Sequence, residues 1–134
     1  MSFTRFPPVV TSAQIITALG YTPGYINIPQ NAQTGAYTLV AADAGKHIYH
    51  ASGAGAAAWV IPANASVAFA IGTAVTFVNE SVTAPTLTIT SDVLHYVNVG
   101  AVTTITIPQF NEVTILKVTA TLWLASGSAG ITTA

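Results

Sequence analysis

From Asn31 onward, short runs of apolar residues are separated by glycine, proline, asparagine and aspartate, which are typical turn residues. In residues 86–90 and 104–107, threonines alternate with leucine or isoleucine, which places the two kinds of side chain on opposite faces of a strand. Such short strands, with no helical periodicity between them, are typical of a sandwich, jelly roll or barrel. For residues 31–134 we predict an all-β body built as a β-sandwich or jelly roll. The predicted strands are 37–41, 46–51, 58–61, 67–70, 74–79, 86–90, 94–99, 102–107, 113–119 and 122–125.

Residues 1–30 have a different pattern and are predicted to form a separate N-terminal segment. Consecutive prolines at positions 7 and 8 favour an extended arm. A helix is predicted over residues 12–19, because Thr11 and Gln14 have capping-box spacing and Gly20 is a typical C-terminal stop. A helix of about two turns is not stable alone, so we expect it to pack on another surface.

The most apolar run, residues 54–78, is long enough to suggest a membrane span. It is interrupted by Pro62, Asn64 and Gly72, and no lysine or arginine lies close to either end. We therefore interpret it as two strands joined by a turn, and expect no membrane partner.

Charge is scarce in this chain. Only 5% of the residues are charged, against roughly 25% in ordinary soluble domains. Three cations cannot follow a phosphate backbone, so we expect no nucleic-acid partner. The charged residues are Arg5, Lys46, Lys117, Asp43, Glu80, Asp92 and Glu112.

The same composition predicts self-association. With 51% apolar residues and a net charge of −1, a free monomer would have poor colloidal stability. The N-terminal segment carries a large apolar load outside the β body, and we predict that these side chains make the assembly contacts. They are Phe3, Phe6, Ile15, Ile16, Leu19, Tyr21 and Tyr25.

The histidines give little indication of a metal site. His47 and His50 lie three positions apart in a predicted strand, so their side chains point to opposite faces. We interpret them and His95 as surface or interface imidazoles. One alternative stays open: in a trimer, a single histidine near the threefold axis could bind an ion from three copies.

No pattern in the sequence predicts catalysis. There is no cysteine, no serine in a nucleophile elbow and no phosphate-binding loop. Asp43 and Asp92 lie in predicted turns, where aspartate commonly bonds to backbone, and Glu80 and Glu112 lie at strand ends. We therefore expect neither enzymatic activity nor a cofactor. Of the three functions that we consider for this chain, a polysaccharide-cleaving enzyme is the least favoured.

The aromatic residues fall into two groups. Trp59, Phe69, Phe77, Phe110 and Trp123 are predicted to pack in the core or in a subunit interface. Two tyrosines, each next to a histidine, are candidates for an exposed partner or glycan surface. These are Tyr49 and Tyr96.

Residues 16–23 (ITALGYTP) resemble a segment often found in bacteriophage tail fibres and virion appendages, where it joins an attachment region to a β-rich domain. The chain downstream is similar to a compact β domain of phage fibre-like proteins, through residues 43–46, 59–64, 71–73, 76–80 and 117–123. This chain has no long stalk, coiled coil or repeat, which favours a capsid protein over a fibre.

The resemblance implies a non-enzymatic structural protein on the outer surface of a phage virion. We predict a homotrimeric capsid decoration or cement protein that bridges capsomers, with itself and the major capsid protein as partners. The alternative is a short tail fibre or receptor-binding module that recognises a host surface glycan.

Overall fold

The computed structural model describes residues 9–20, 27–128 and 130–134. This part of the chain contains one helix and twelve strands, so the fold is all-β with a single helix, as the sequence predicts. The helix is α1 (Ser12–Leu19). The strands are β1 (Gln30–Ala32), β2 (Tyr37–Thr38), β3 (His47–His50), β4 (Ala58–Ile61), β5 (Ala74–Asn79), β6 (Thr86–Ile89), β7 (Val93–Tyr96), β8 (Gly100–Val102), β9 (Thr104–Thr106), β10 (Asn111–Thr119), β11 (Leu122–Gly127) and β12 (Thr132–Thr133).

Helix α1 begins and ends where its capping residues predict. The Thr11 hydroxyl accepts the Gln14 backbone N–H at 3.2 Å, and the Gln14 side-chain oxygen accepts the Thr11 backbone N–H at 2.8 Å. Gly20 has φ +74°, and its N–H donates to the Ile16 carbonyl at 2.9 Å. Both ends of the helix therefore satisfy backbone groups that would otherwise lack partners.

The strands form two sheets. One has seven strands in the order β1-β3-β5-β10-β11-β7-β8, and the other has five in the order β12-β9-β6-β4-β2. From β1 to β6 the chain alternates between the sheets, and each strand pairs in parallel with the strand two places earlier. In this first part, each turn of the chain therefore contributes one strand to each sheet. β7 to β12 then complete the two sheets, mostly through antiparallel pairs.

Two predicted strands are wrong in detail. Residues 67–70 do not form a strand; the Ser66 and Val67 N–H groups donate to the Ala63 carbonyl, so the chain turns there. This turn places the Phe69 ring in a T-shaped contact with the Trp123 ring, with the ring centroids 5.6 Å apart. The run 102–107 divides between β8 in the seven-stranded sheet and β9 in the five-stranded sheet.

The inward faces of the two sheets share one hydrophobic core. Trp59 of β4 and Phe77 of β5 meet across the sheets with ring centroids 5.4 Å apart, and both are fully buried. Of the five aromatic residues predicted to pack in the core or in a subunit interface, four lie in the core; Phe110 is 73% exposed, so its packing in an interface stays a prediction. The buried core residues are Leu39, Ile48, Ala57, Trp59, Ile61, Phe69, Val75, Phe77, Leu87, Leu94, Val102, Ile105, Ile107, Val113, Ile115, Trp123 and Ala125.

The body begins at or before Gln30. The Pro29 carbonyl accepts the His47 N–H at 3.0 Å, and Gln30 pairs with His47 in the sheet. The predicted boundary between residues 30 and 31 therefore cuts through β1. Among the residues that the structure describes, no helix is both long and apolar enough to cross a bilayer.

Asp43 is the centre of a buried polar cluster between the two sheets. It is 1% exposed and accepts hydrogen bonds from the Asn31 amide at 2.8 Å, the Tyr37 hydroxyl at 2.8 Å and the Val40 N–H at 2.9 Å. The cluster thus links β1, β2 and the short 3₁₀ turn Ala41–Asp43. The prediction that Asp43 bonds to nearby backbone in a turn is confirmed.

We expect Asp43→Ala to lower the free energy of unfolding by about 2 to 4 kcal/mol, because three donors would lose their acceptor. Asp43→Asn is the matched control: it keeps the side-chain size and one carbonyl oxygen, so its loss should be smaller. Urea denaturation of both variants checks this. Equal stability of Asp43→Ala and the wild type would contradict the structural role of the cluster.

Ionisation of Tyr37 is expected to lower the folding stability at high pH. Burial raises the pKa of Tyr37 above its ordinary value of 10.0, the hydrogen bond to Asp43 raises it further, and the amide of Asn31 acts in the opposite direction. Above pH 10.0 the unfolded chain loses this proton while the folded chain keeps it, so stability falls as the pH rises towards the folded pKa. Below pH 10.0 the contribution is fully present.

We therefore expect urea midpoints of the wild type to fall more steeply above pH 10.0 than those of Tyr37→Phe. The comparison with the variant removes the contributions of the other tyrosines and of the lysines. Parallel pH profiles for the two proteins would show that Tyr37 does not carry this dependence.

Candidate assembly surfaces

Helix α1 presents apolar side chains that the rest of the described chain does not cover. Ile15 is 39% exposed and Leu19 is 47% exposed, Ile16 is half-buried, and no residue of the helix is buried. These three residues were predicted to make assembly contacts, and the helix places them together on about one turn of its surface. The other predicted assembly residues, Phe3, Phe6, Tyr21 and Tyr25, lie outside the described residues.

A second apolar surface lies on the outer face of the seven-stranded sheet. Leu116 of β10 is directly opposite Leu124 of β11, and they are 38% and 37% exposed. Leu122 of β11 is opposite Val93 of β7, which is 45% exposed. With Val118, these residues form what we call the outer apolar strip.

The position of the outer apolar strip determines how it could associate. β10 and β11 lie in the interior of the sheet, so their backbone groups are already paired on both sides. A partner could therefore reach the strip only through side-chain packing, not by adding a strand to an edge. The assembly residues predicted from the sequence did not include the strip. A signal was present in the run Leu122, Trp123, Leu124, because three consecutive apolar residues make both faces of a strand apolar.

The outer face of the five-stranded sheet is polar instead. Thr86 pairs with Thr106, and Thr88 pairs with Thr104, between β6 and β9. Leu87 and Ile105, which lie between these threonines, are fully buried, as the predicted alternation requires. The two outer faces thus differ in chemistry, and the threonine face offers a matched surface for control substitutions.

Tyr49 and Tyr96 do not form a common surface. Tyr49 lies between the buried residues Ile48 and His50 of β3, so it faces outward and is half-exposed. Tyr96 packs against the hydrophobic core from β7. The two tyrosines lie on opposite faces of the seven-stranded sheet, with β5, β10 and β11 between their strands.

The interpretation of His50 as a surface or interface imidazole is wrong. Its side chain is fully buried, with Nδ1 at 3.1 Å from the Gln33 carbonyl and Nε2 at 2.9 Å from the Gly55 carbonyl. It also stands edge-on to the Trp59 ring at 5.6 Å. His50 therefore joins two loops to the core and has no free nitrogen for an ion.

The other histidines remain accessible. His47 is half-exposed, on the face of β3 opposite to His50, as their spacing predicts, and its Nε2 lies 3.1 Å from the Gln30 amide nitrogen. His95 lies beside Leu124 on the outer face of the seven-stranded sheet. An ion on a threefold axis stays a prediction for these two residues.

The four carboxylates are spread through the structure. Asp43 lies in its buried cluster, and Asp92 accepts the Asn64 backbone N–H at 2.8 Å. Glu112 is exposed, and Glu80 is half-buried. Within residues 9–20, 27–128 and 130–134, no three histidine or carboxylate side chains come close enough together to hold a metal ion.

Comparison with known proteins adds nothing to this picture: no protein-family model and no curated protein matches the chain.

Proposed function

We propose that this protein is a non-enzymatic structural component of a phage virion, and specifically a homotrimeric capsid decoration protein on the outer surface of the head. The observation that carries the proposal is the pair of exposed apolar surfaces, on helix α1 and on the outer apolar strip. The resemblance of residues 16–23 to phage appendage segments supplies the biological setting.

The low charge of the chain favours association through these apolar surfaces. A chain with three cations and four anions has little electrostatic repulsion to keep copies apart. Covering an exposed leucine or isoleucine by a partner contributes about 25 cal/mol for each Å² of apolar surface removed from water. Several such side chains on each subunit therefore favour association between copies.

For the body we propose a β-sandwich. The shared core between the sheets and the contact of Trp59 with Phe77 support this architecture. A jelly roll is less compatible with the pairing, because jelly rolls are antiparallel and five strand pairs here are parallel. A rigid body of this kind would hold the apolar surfaces at fixed positions between capsomers.

We expect the wild type to sediment as a trimer at micromolar concentration. The double variant Ile15→Gln and Leu19→Gln keeps good helix formers but removes the apolar contacts of α1, so it should dissociate. The double variant Leu116→Thr and Leu124→Thr tests the outer apolar strip with residues that suit strands. The double variant Thr86→Gln and Thr106→Gln, on the polar outer face of the five-stranded sheet, is the control and should remain trimeric.

Sedimentation of the wild type as a monodisperse monomer would contradict the proposal. If all three double variants stay trimeric, neither apolar surface makes the subunit contact. Electron microscopy of the particle then separates head from tail: hundreds of copies indicate a decoration protein, and a few dozen or fewer indicate the receptor-binding alternative.

A further inference from the structure

Lys117 is a buried lysine in a protein with only three cations. It is 1% exposed and lies on the inward face of β10, next in the inward series after Val113 and Ile115. Its Nζ is 5.5 Å from the centre of the Trp123 ring. An amine in such a place is costly to desolvate and needs close polar partners.

The polar partner that Lys117 contacts is the side chain of Asn64. Nζ lies 2.6 Å from Asn64 Oδ1 and donates a hydrogen bond to it. Asn64 is half-buried in the turn after β4. Its backbone N–H donates to Asp92 Oδ2 at 2.8 Å, so the turn cannot easily move away from the amine.

This contact brings an amine within reach of an amide carbonyl carbon. A carbonyl bond is about 1.2 Å long, so Asn64 Cγ lies no more than about 3.8 Å from Lys117 Nζ. Nucleophile and carbonyl carbon held at about 3 to 3.5 Å approach a near-attack arrangement. The fully buried Trp123 lies beside the amine, and Phe69, which is 7% exposed, packs on Trp123.

We propose that Lys117 and Asn64 become joined by an intramolecular isopeptide bond. Once Lys117 Nζ has given up its extra proton to solvent, its lone pair attacks Asn64 Cγ, and the C–Nδ2 bond breaks as the new C–Nζ bond forms. One proton of the attacking nitrogen passes to Nδ2, which leaves as ammonia. No electron is gained or lost, and no other reactant is needed.

The bond would covalently connect two parts of the fold that lie far apart in the sequence. Lys117 and Asn64 are 53 positions apart. The first lies in the interior of the seven-stranded sheet, and the second follows β4 of the five-stranded sheet. Because the chain has no cysteine, a disulfide cannot do this. This inference does not depend on the proposed function.

Intact mass spectrometry of the purified full chain tests the proposal. We expect a mass lower than that of the sequence by one ammonia molecule, and a branched peptide linking the segments that contain residues 64 and 117 after proteolysis. Lys117→Arg and Asn64→Ala should each restore the full mass. Lys46→Arg, at a half-exposed lysine, is the matched control and should keep the loss.

Two results would overturn the proposal. One is the full sequence mass, with unlinked peptides covering both residues, which needs no variant to fold. The other is an ammonia loss that persists in Lys117→Arg and is sensitive to hydroxylamine, because an asparagine that cyclises onto its own backbone also releases ammonia.

Discussion

The contact between Trp59 and Phe77 is the interaction on which the rest of the structure depends. The two rings come from different sheets, are fully buried and hold the inward faces together. Because the chain crosses from one sheet to the other at every connection between β1 and β6, each strand is in place only when this core is closed. The large apolar area of the two aromatic residues makes that closure favourable, at roughly 25 cal/mol per Å² buried.

Polar groups inside the body then determine where the loops lie. Asn79 is fully buried, donates to the Ile107 carbonyl at 2.9 Å and accepts the Ser81 N–H at 2.8 Å. Ser81 in turn donates to the Ala54 carbonyl at 2.6 Å. Together with Asp43 and His50, these residues hold the loops between strands in positions that apolar packing alone would not determine. A buried polar group is costly unless paired, so such networks favour one arrangement.

The outer faces of the two sheets expose different kinds of side chain. Each inward face must be apolar to build the core, but no such demand acts on the outside. One sheet carries threonines there, while the other carries the outer apolar strip. With so few charges available to separate copies, this difference between faces, together with the uncovered side of α1, directs any association to particular surfaces.

The local sequence pattern by itself determined the bounds of the helix and which face of the strands is buried. The bounds of α1, β4 and β5 agree with prediction, since capping and alternation act over a few residues. Pairing partners were decided only by the tertiary structure. Alternation with a period of two residues indicates which side chains face inward, but it does not indicate which strand lies beside which. The parallel pairing of β3 with β5 and of β4 with β6 therefore could not be predicted from it. For the same reason the burial of His50 and the meeting of Lys117 with Asn64 could not be foreseen, because both depend on loops that the closed core brings together.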